Sequence, residues 1–394
     1  MPRMRARGWL AHLLLAVVPV TALLAVAELA VRATGVAETC PNRFTGSPIW
    51  ACDPILQFKL NPAIEPNGEP LNSAGFRGPE FGPKRPGVFR ILALGDSCTF
   101  GYIVRAMIGF VAQPYPLRLQ HLVDRRLGPR RVEVLNAGLP GYNSFQGLLL
   151  LRTRLRDLEP DLVTVRFGWN DHFLSGAGEA AAFREPATPL GIAAEDLLLR
   201  SKLYAFLRRI GLELRAWREP VADQASAAFR SQGTWVPTIP PEDFAHTLRR
   251  IVEVVRARGG EVWLLTAPRN PAPSAEAAQQ LAVHNRLDFE RLMQVHEDYA
   301  QIVRRVGEET GALVVDLEAA YARHAGEPVF LPTDVVHPTE GGHNLEAEAL
   351  YAALVRRGVL GPRESRRVPA VLPSEGGQGP GAQGAVDRPP RSIP

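Results

Sequence analysis

Ile91-Leu92-Ala93-Leu94-Gly95-Asp96-Ser97-Cys98-Thr99-Phe100-Gly101 is the stretch that decides how this chain folds. Four apolar residues in a row have the character of a strand buried on both faces, as in a parallel sheet. Gly95 then turns the chain, and a helix is expected to follow the hydroxyl of Ser97. A serine beyond the carboxyl end of a central strand stands where open α/β sheets carry their chemistry. Taken alone, Gly-Asp-Ser is equally a β-to-α turn with an Asp or Ser cap, since turns and caps favour these residues. The other strand ends separate the two readings.

Working outward, strand and helix patterns alternate from Val88 onward. Strands are predicted at Phe89–Leu94, Val132–Asn136, Leu162–Phe167, Val262–Thr266 and Ala312–Asp316. Helical spacing marks Leu119, Leu122, Val123 and Leu127 after the first strand. It marks Leu148, Leu151, Leu155 and Leu158 before the third, with Ser144 as the expected cap. Phe244, Leu248, Ile251 and Val255 lead into the fourth strand, and Tyr299, Ile302, Val303 and Val306 into the fifth. Ala347, Leu350, Tyr351 and Leu354 predict a closing helix. Alternation of this kind predicts a parallel sheet covered by helices on both faces, with right-handed crossovers.

The chain has 394 residues, 46% hydrophobic and 22% charged, with a net charge of +4. That length accommodates one large α/β domain with appendages, or two domains. Lysine is confined to Lys59, Lys84 and Lys202, and the arginines are scattered rather than clustered with aromatics. Nucleic acid is therefore not an expected partner. The three cysteines show no CxxC or Cys/His spacing, so no zinc site is expected.

Arg3, Arg5 and Arg7 precede a nearly unbroken apolar run from Trp9 to Val31, interrupted by His12, Thr21 and Glu28, with Pro19 inside it. Its 23 residues compare with the roughly 20 that cross a bilayer. Basic residues ahead of a span keep that end cytoplasmic and send the rest outward. The expectation is a single-pass anchor at residues 9–31, after a cytoplasmic N-terminus at 1–8, with the remainder periplasmic. A cleaved signal peptide is the rival, because Ala25-Val26-Ala27 has the form of a cleavage site. Glu28 and Arg32 are spaced to pair on one helix face.

Residues 35–87 form an extension rich in Pro, Gly and Asn. It contains Cys40 and Cys52, which an exported chain can join by a disulfide. Cys98 is expected to act as a buried small hydrophobe. The main domain is predicted over 88–360, with a helical insertion at 172–241. There Leu199, Leu203, Phe206, Ile210, Leu214 and Trp217 follow helical spacing, and Arg200, Arg208, Arg209, Arg215 and Arg218 take other positions. Packing on the domain's own core is the default account of that helix. Lying on a membrane, or serving as a lid, is the alternative. Residues 361–394 turn to Pro, Gly, Ser and Arg without periodicity and have the composition of a disordered tail.

Four short stretches stand where strands end: Gly95-Asp96-Ser97, Asn136-Ala137-Gly138-Leu139-Pro140-Gly141, Gly168-Trp169-Asn170-Asp171 and Asp334-Val335-Val336-His337-Pro338. Acyl transfer by a serine needs a base for the hydroxyl proton, a carboxylate to orient that base, and donors facing the oxyanion. His337 is the candidate base, since imidazole titrates near neutral pH. Asp334, three residues earlier, is within reach of its other nitrogen. The backbone N–H groups of Ser97 and Gly141 and the side-chain amide of Asn170 are the candidate oxyanion donors. His343, at the start of the closing helix, is expected to be structural.

With these four blocks in this order the chain resembles the SGNH hydrolases, the GDSL-type esterase/lipase superfamily, over roughly Val88 to Gly358. The resemblance matches the family's block residues to Ser97, Gly141, Asn170 and His337, with Asp334 as the triad acid. Leu71-Asn72-Ser73-Ala74-Gly75-Phe76-Arg77-Gly78 is similar to the lead-in of membrane-anchored bacterial members. The family implies a three-layer α/β/α sandwich with a five-stranded parallel sheet, flavodoxin-like in type, and metal-independent hydrolysis of carboxylic esters. One departure is Tyr102-Ile103-Val104-Arg105-Ala106-Met107-Ile108-Gly109-Phe110, where many members carry polar residues.

The reading is thus an exported, membrane-anchored serine esterase or deacylase, whose acyl-ester substrate is an envelope glycan or lipid if location is a guide. An O-acyltransferase acting on envelope glycans would use the same residues. A catalytically silent glycan-binding envelope protein would keep the fold without the chemistry.

Overall fold

The computed structural model describes residues 3–37, 50–104, 108–176, 180, 183–218 and 235–359. Residues 1–360 form one compact unit, and the predicted tail from 361 lies outside the described residues. The elements in chain order begin with α1 (Arg3–Thr34), β1 (Trp50–Asp53), β2 (Gln57–Leu60), β3 (Phe89–Gly95) and α2 (Ser97–Phe100). Then come β4 (Tyr102–Val104), β5 (Ile108–Phe110), α3 (Tyr115–Leu127), β6 (Val132–Gly138), α4 (Ser144–Arg152) and β7 (Leu162–Arg166). Next are α5 (Trp169–His172), β8 (Leu174–Gly176), α6 (Pro189–Leu198), α7 (Lys202–Arg218), β9 (Trp235–Pro237) and α8 (Pro241–Arg256). The chain closes with β10 (Glu261–Leu265), α9 (Ala275–His284), α10 (Phe289–Thr310), β11 (Leu313–Val315), α11 (Leu317–Ala322) and α12 (Glu340–Arg356).

Five strands form one parallel sheet in the order β11-β10-β7-β3-β6. In sheet-strand order this is 2-1-3-4-5, the doubly wound arrangement whose switch point lies beside its first strand. Alternation along β3 sorts its apolar residues into two layers. Ile91 and Ala93 face the layer of Tyr115, Leu119 and Val123 on α3 and Ala347, Leu350 and Leu354 on α12. Leu92 and Leu94 face the layer of Leu148 on α4, Phe244, Leu248 and Ile251 on α8, and Tyr299 and Val303 on α10. A run that is apolar at every position therefore suits a strand with helices on both faces, as the sequence predicts.

Three boundaries differ from expectation, the first being that α4 ends at Arg152, so Leu155 and Leu158 lie in the turns beyond it. Asn143, not Ser144, caps α4, its side chain accepting from Gln146 N at 3.0 Å while Gln146 returns a bond to its backbone. Among the described residues, the helical pattern from Leu199 to Trp217 belongs to two helices rather than one, broken at residues 199–201. Leu203, Ala205 and Phe206 of α7 pack against Val31, Val36 and Ala37 at the end of α1, together with Ile55. The default expectation of packing on the domain's own core is corrected by this contact, although Leu199 does meet the main core. Glu28 pairs with Arg32 at 2.7 Å, as the spacing predicts. The extension is bound to the domain: Leu56, Leu60 and Phe76 are buried in the main core. Cys52 is disulfide-bonded and Cys98 is free and buried; Cys40, the expected partner, lies outside the described residues.

Candidate active site

Strands β3, β6 and β7 end at one level, with Gly95 opposite both Gly138 and Arg166. Glycine is needed at two of these positions by close approach rather than by turning, which corrects the expected role of Gly95. A Cβ on Gly95 would stand 2.8 Å from the Arg166 carbonyl, and one on Gly138 would stand 2.7 Å from Thr99 C. The missing side chains let α2 sit directly on the strand ends. Asp96 caps α2 by accepting from Cys98 N at 2.9 Å, which fixes Ser97 at its first position.

Ser97 Oγ lies 3.0 Å from His337 Nε2, and His337 Nδ1 lies 2.9 Å from Asp334 Oδ2. Ionised Asp334 only accepts, so Nδ1 carries the imidazole proton and Nε2 presents its lone pair to the Ser97 hydroxyl. Asp334 Oδ1 also accepts from the N–H groups of Val336 at 2.8 Å and His337 at 3.0 Å. Burial pushes the Asp334 carboxyl up, but the His337 bond and charge and these two N–H groups outweigh it, and its pKa falls below the usual value. Ser97 is 8% exposed, enough to be reached from one side. Tyr102 covers His337, ring centres 5.1 Å apart, so the first residue of the divergent stretch forms part of the wall of the site.

Gly141 adopts φ +78°, a left-handed conformation that favours glycine. No acceptor among the described residues takes the N–H of Gly141 or of Ser97. A Cβ at Gly141 would be 3.4 Å from Trp50 and 3.5 Å from Phe58, so the β1–β2 hairpin of the extension backs this loop. Tyr142 Oη donates to the Phe58 carbonyl at 2.5 Å. Asn170 Nδ2 donates to the Tyr142 carbonyl at 2.9 Å, which leaves one amide hydrogen for another acceptor. Asp171 Oδ1 accepts from Ser144 N at 2.9 Å. The loop after β6 and the turn after β7 are thus joined to each other.

Several site-supporting residues are not visible in the sequence pattern. Asn270, after β10, holds the loop that carries Asp334. His296 stacks on Trp169 with ring centres 3.9 Å apart, and its Nδ1 lies 2.9 Å from His172 Nε2. Burial pushes His296 down to about 3 and His172 down as well, so the pair is neutral and braces the turn that bears Asn170. Arg166 and Glu346 form a fully buried ion pair at 3.1 Å, and the Arg166 charge acts on Asp96 next to Ser97. His343 is structural, as expected: it is fully buried and its Nδ1 accepts from Tyr115 N at 3.2 Å. Buried polar residues inside apolar elements give no periodic signal, so only their three-dimensional neighbours identify them. Among the described residues, no three His, Cys, Asp or Glu side chains are arranged to hold a metal ion.

Residues 93–345 match the GDSL-like Lipase/Acylhydrolase family. Solved structures similar to the chain include the lipase/acylhydrolase from Enterococcus faecalis, at 19% identity and a TM-score of 0.42, covering 68% of this chain and 97% of that one. An acetylxylan esterase from Geobacillus stearothermophilus is similar at 18% identity and a TM-score of 0.41, covering 68% of this chain and 95% of that one. Among curated proteins no relative matches.

Proposed function

The chain belongs to the GDSL-like lipase/acylhydrolase family and is an ester-hydrolysing enzyme, and from that premise we propose that Ser97, His337 and Asp334 carry the reaction. The observation behind the proposal is the continuous chain from Ser97 Oγ through both His337 nitrogens to Asp334. Ser97 Oγ attacks the acyl carbon while His337 Nε2 takes the hydroxyl proton. Asp334 holds the imidazole in the required tautomer and stabilises its positive charge. The former carbonyl oxygen becomes an oxyanion, met by the N–H groups of Ser97 and Gly141 and the remaining amide hydrogen of Asn170. Collapse breaks the ester C–O bond, and the alcohol leaves with the proton from His337. Water, deprotonated by the same imidazole, then releases the carboxylic acid and restores Ser97.

The enzyme is exported and anchored by α1 in the cytoplasmic membrane, with its catalytic domain on the periplasmic side. Leu15–Thr34 is apolar and long enough to cross a membrane, and three arginines precede it. An anchor is favoured over a cleaved signal because Ala25-Val26-Ala27 lies inside an unbroken helix. The next residue, Glu28, is bonded to the catalytic domain.

A hydrolysis screen of the purified chain over acetyl, short-chain and long-chain esters tests the activity and its chain-length preference. Turnover should vanish in Ser97→Ala. Equal turnover in that variant would refute the assignment.

A further inference from the structure

Helix α6 is amphipathic in the opposite sense to a helix on a soluble protein. Its sequence is Pro-Leu-Gly-Ile-Ala-Ala-Glu-Asp-Leu-Leu, yet none of its residues is buried. Its acids are tied to the domain: buried Arg152 donates to the largely covered Glu195 at Oε2, 2.8 Å, and to the half-exposed Asp196 at Oδ1, 2.8 Å. Its leucines turn outward, with Leu190 81% and Leu197 68% exposed. On α7, Leu207 and Leu214 stand exposed two turns apart, while Leu203 and Phe206 face the end of α1. Among the described residues, the exposed large apolar side chains outside α1, α6 and α7 are Val283 and Val355.

The N-terminal helix sets the level at which α7 begins. With 32 residues, α1 is about 48 Å long, more than the roughly 30 Å of hydrocarbon requires. Counting from Trp9, twenty residues end at Glu28. The Glu28 carboxylate accepts from Ser201 Oγ at 2.7 Å, Lys202 N at 3.0 Å and Leu203 N at 2.8 Å, so it caps α7. Helix α7 therefore starts near the outer end of the anchor, close to headgroup depth. Arg32 and Arg200 are exposed at the same junction, where lipid phosphates would lie.

We propose that α6 and α7 lie on the surface of the bilayer that α1 crosses, with Leu190, Leu197, Leu207 and Leu214 in its interface. A helix with an exposed apolar stripe and a polar opposite side is stable in that position. The occupant is lipid because the exposed leucines belong to two successive helices that are bonded, through Glu28, to the end of the apolar helix that crosses the bilayer. The domain is then seated on the membrane at a fixed height and not hung from it by a free linker. This inference rests on α1 being an anchor, and its test separates the two.

The full chain is reconstituted in bilayer nanodiscs of phosphatidylcholine and phosphatidylglycerol. An environment-sensitive fluorophore is placed singly through Leu24→Cys, Leu190→Cys, Leu197→Cys, Leu207→Cys or Val283→Cys. The unsubstituted chain, treated alike, sets the background. Nitroxide lipids labelled near the headgroup should quench fluorescence at Leu190, Leu197 and Leu207, and lipids labelled deep in the chain should quench it at Leu24. Val283, equally apolar but elsewhere, should keep its fluorescence. Quenching at Leu24 alone overturns the seating and leaves the anchor standing. Quenching at no position removes both. Protection of Leu207 from a water-soluble quencher without lipid quenching overturns the seating in favour of a contact between copies.

Discussion

Asn270 holds Asp334 by its main chain: the Asn270 side-chain amide donates to the carbonyl oxygens of Asp334 at 2.9 Å and Leu331 at 3.0 Å. Its own N–H bonds the Val335 carbonyl at 2.9 Å. The loop after β10 thereby fixes the loop that aims His337 at Ser97. Removing the amide should cost about 1–1.5 kcal/mol of positioning, a roughly tenfold fall in kcat with KM little changed. Asn270→Ala kinetics check this, and a rise in KM with kcat unchanged would exclude a positioning role.

Asn170 spends one amide hydrogen on Tyr142 and has one left. If that hydrogen meets the oxyanion, which carries full charge only in the tetrahedral intermediate, its loss falls on kcat. Asn170→Ala should lower kcat by roughly 10²–10³ and leave KM near its original value. Asn170→Asp should be at least as harmful, because it aims a carboxylate at the Tyr142 carbonyl and at the oxyanion. An active Asn170→Asp enzyme would remove this residue from the oxyanion hole.

Asp171 gives a pH signature in stability. Burial pushes its carboxyl up to about 7, against the hydrogen bonds from Ser144 that pull it down. The folded state then holds a proton that the unfolded state, with an ordinary pKa near 4, has released. Stability due to this group is therefore highest below about pH 4 and falls as pH rises towards 7. Asp171→Asn keeps the shape of the neutral acid and the acceptor for Ser144. Relative to wild type it should gain stability between urea denaturation at pH 5 and at pH 8. No change in the difference between them would contradict the neutral buried acid.

Membrane topology is checked with reporters fused after Leu360. A reporter active only after export should give signal, and one active only in the cytoplasm should not. The reverse pattern would overturn the orientation drawn from Arg3, Arg5 and Arg7.

Most of the sheet was legible because its strands carry short, mostly apolar runs such as residues 91–94 and 262–265, and such runs between helical patterns have few other uses. Three of the four blocks were legible for a related reason, since each places a chemically specific residue at the end of β3, β6 or β7; the fourth, with Asp334 and His337, stands beyond α11 in the loop before α12. The extension gave no periodic signal, yet its Trp50 and Phe58 back the Gly141 loop. Short irregular segments pack through single residues rather than through a repeated face. Asn270 and His296 were silent because their roles depend on partners dozens of residues away. The insertion was legible as helix but not in its facing. The tethered acids of α6 depend on Arg152, which its own spacing does not reveal.

The central claim is that Ser97 is the nucleophile and His337 its base. The most direct measurement treats wild type, Ser97→Ala and His337→Ala with a fluorophosphonate and locates the adduct by peptide mass spectrometry, with esterase activity followed in parallel. The account predicts an adduct on Ser97 in wild type, with activity lost in proportion to labelling. It predicts no adduct in Ser97→Ala and strongly slowed labelling in His337→Ala. Ester hydrolysis should be abolished in each variant, and no further by the two changes together, because the pair acts as a unit. An adduct on another residue, or hydrolysis that survives in Ser97→Ala, would contradict it.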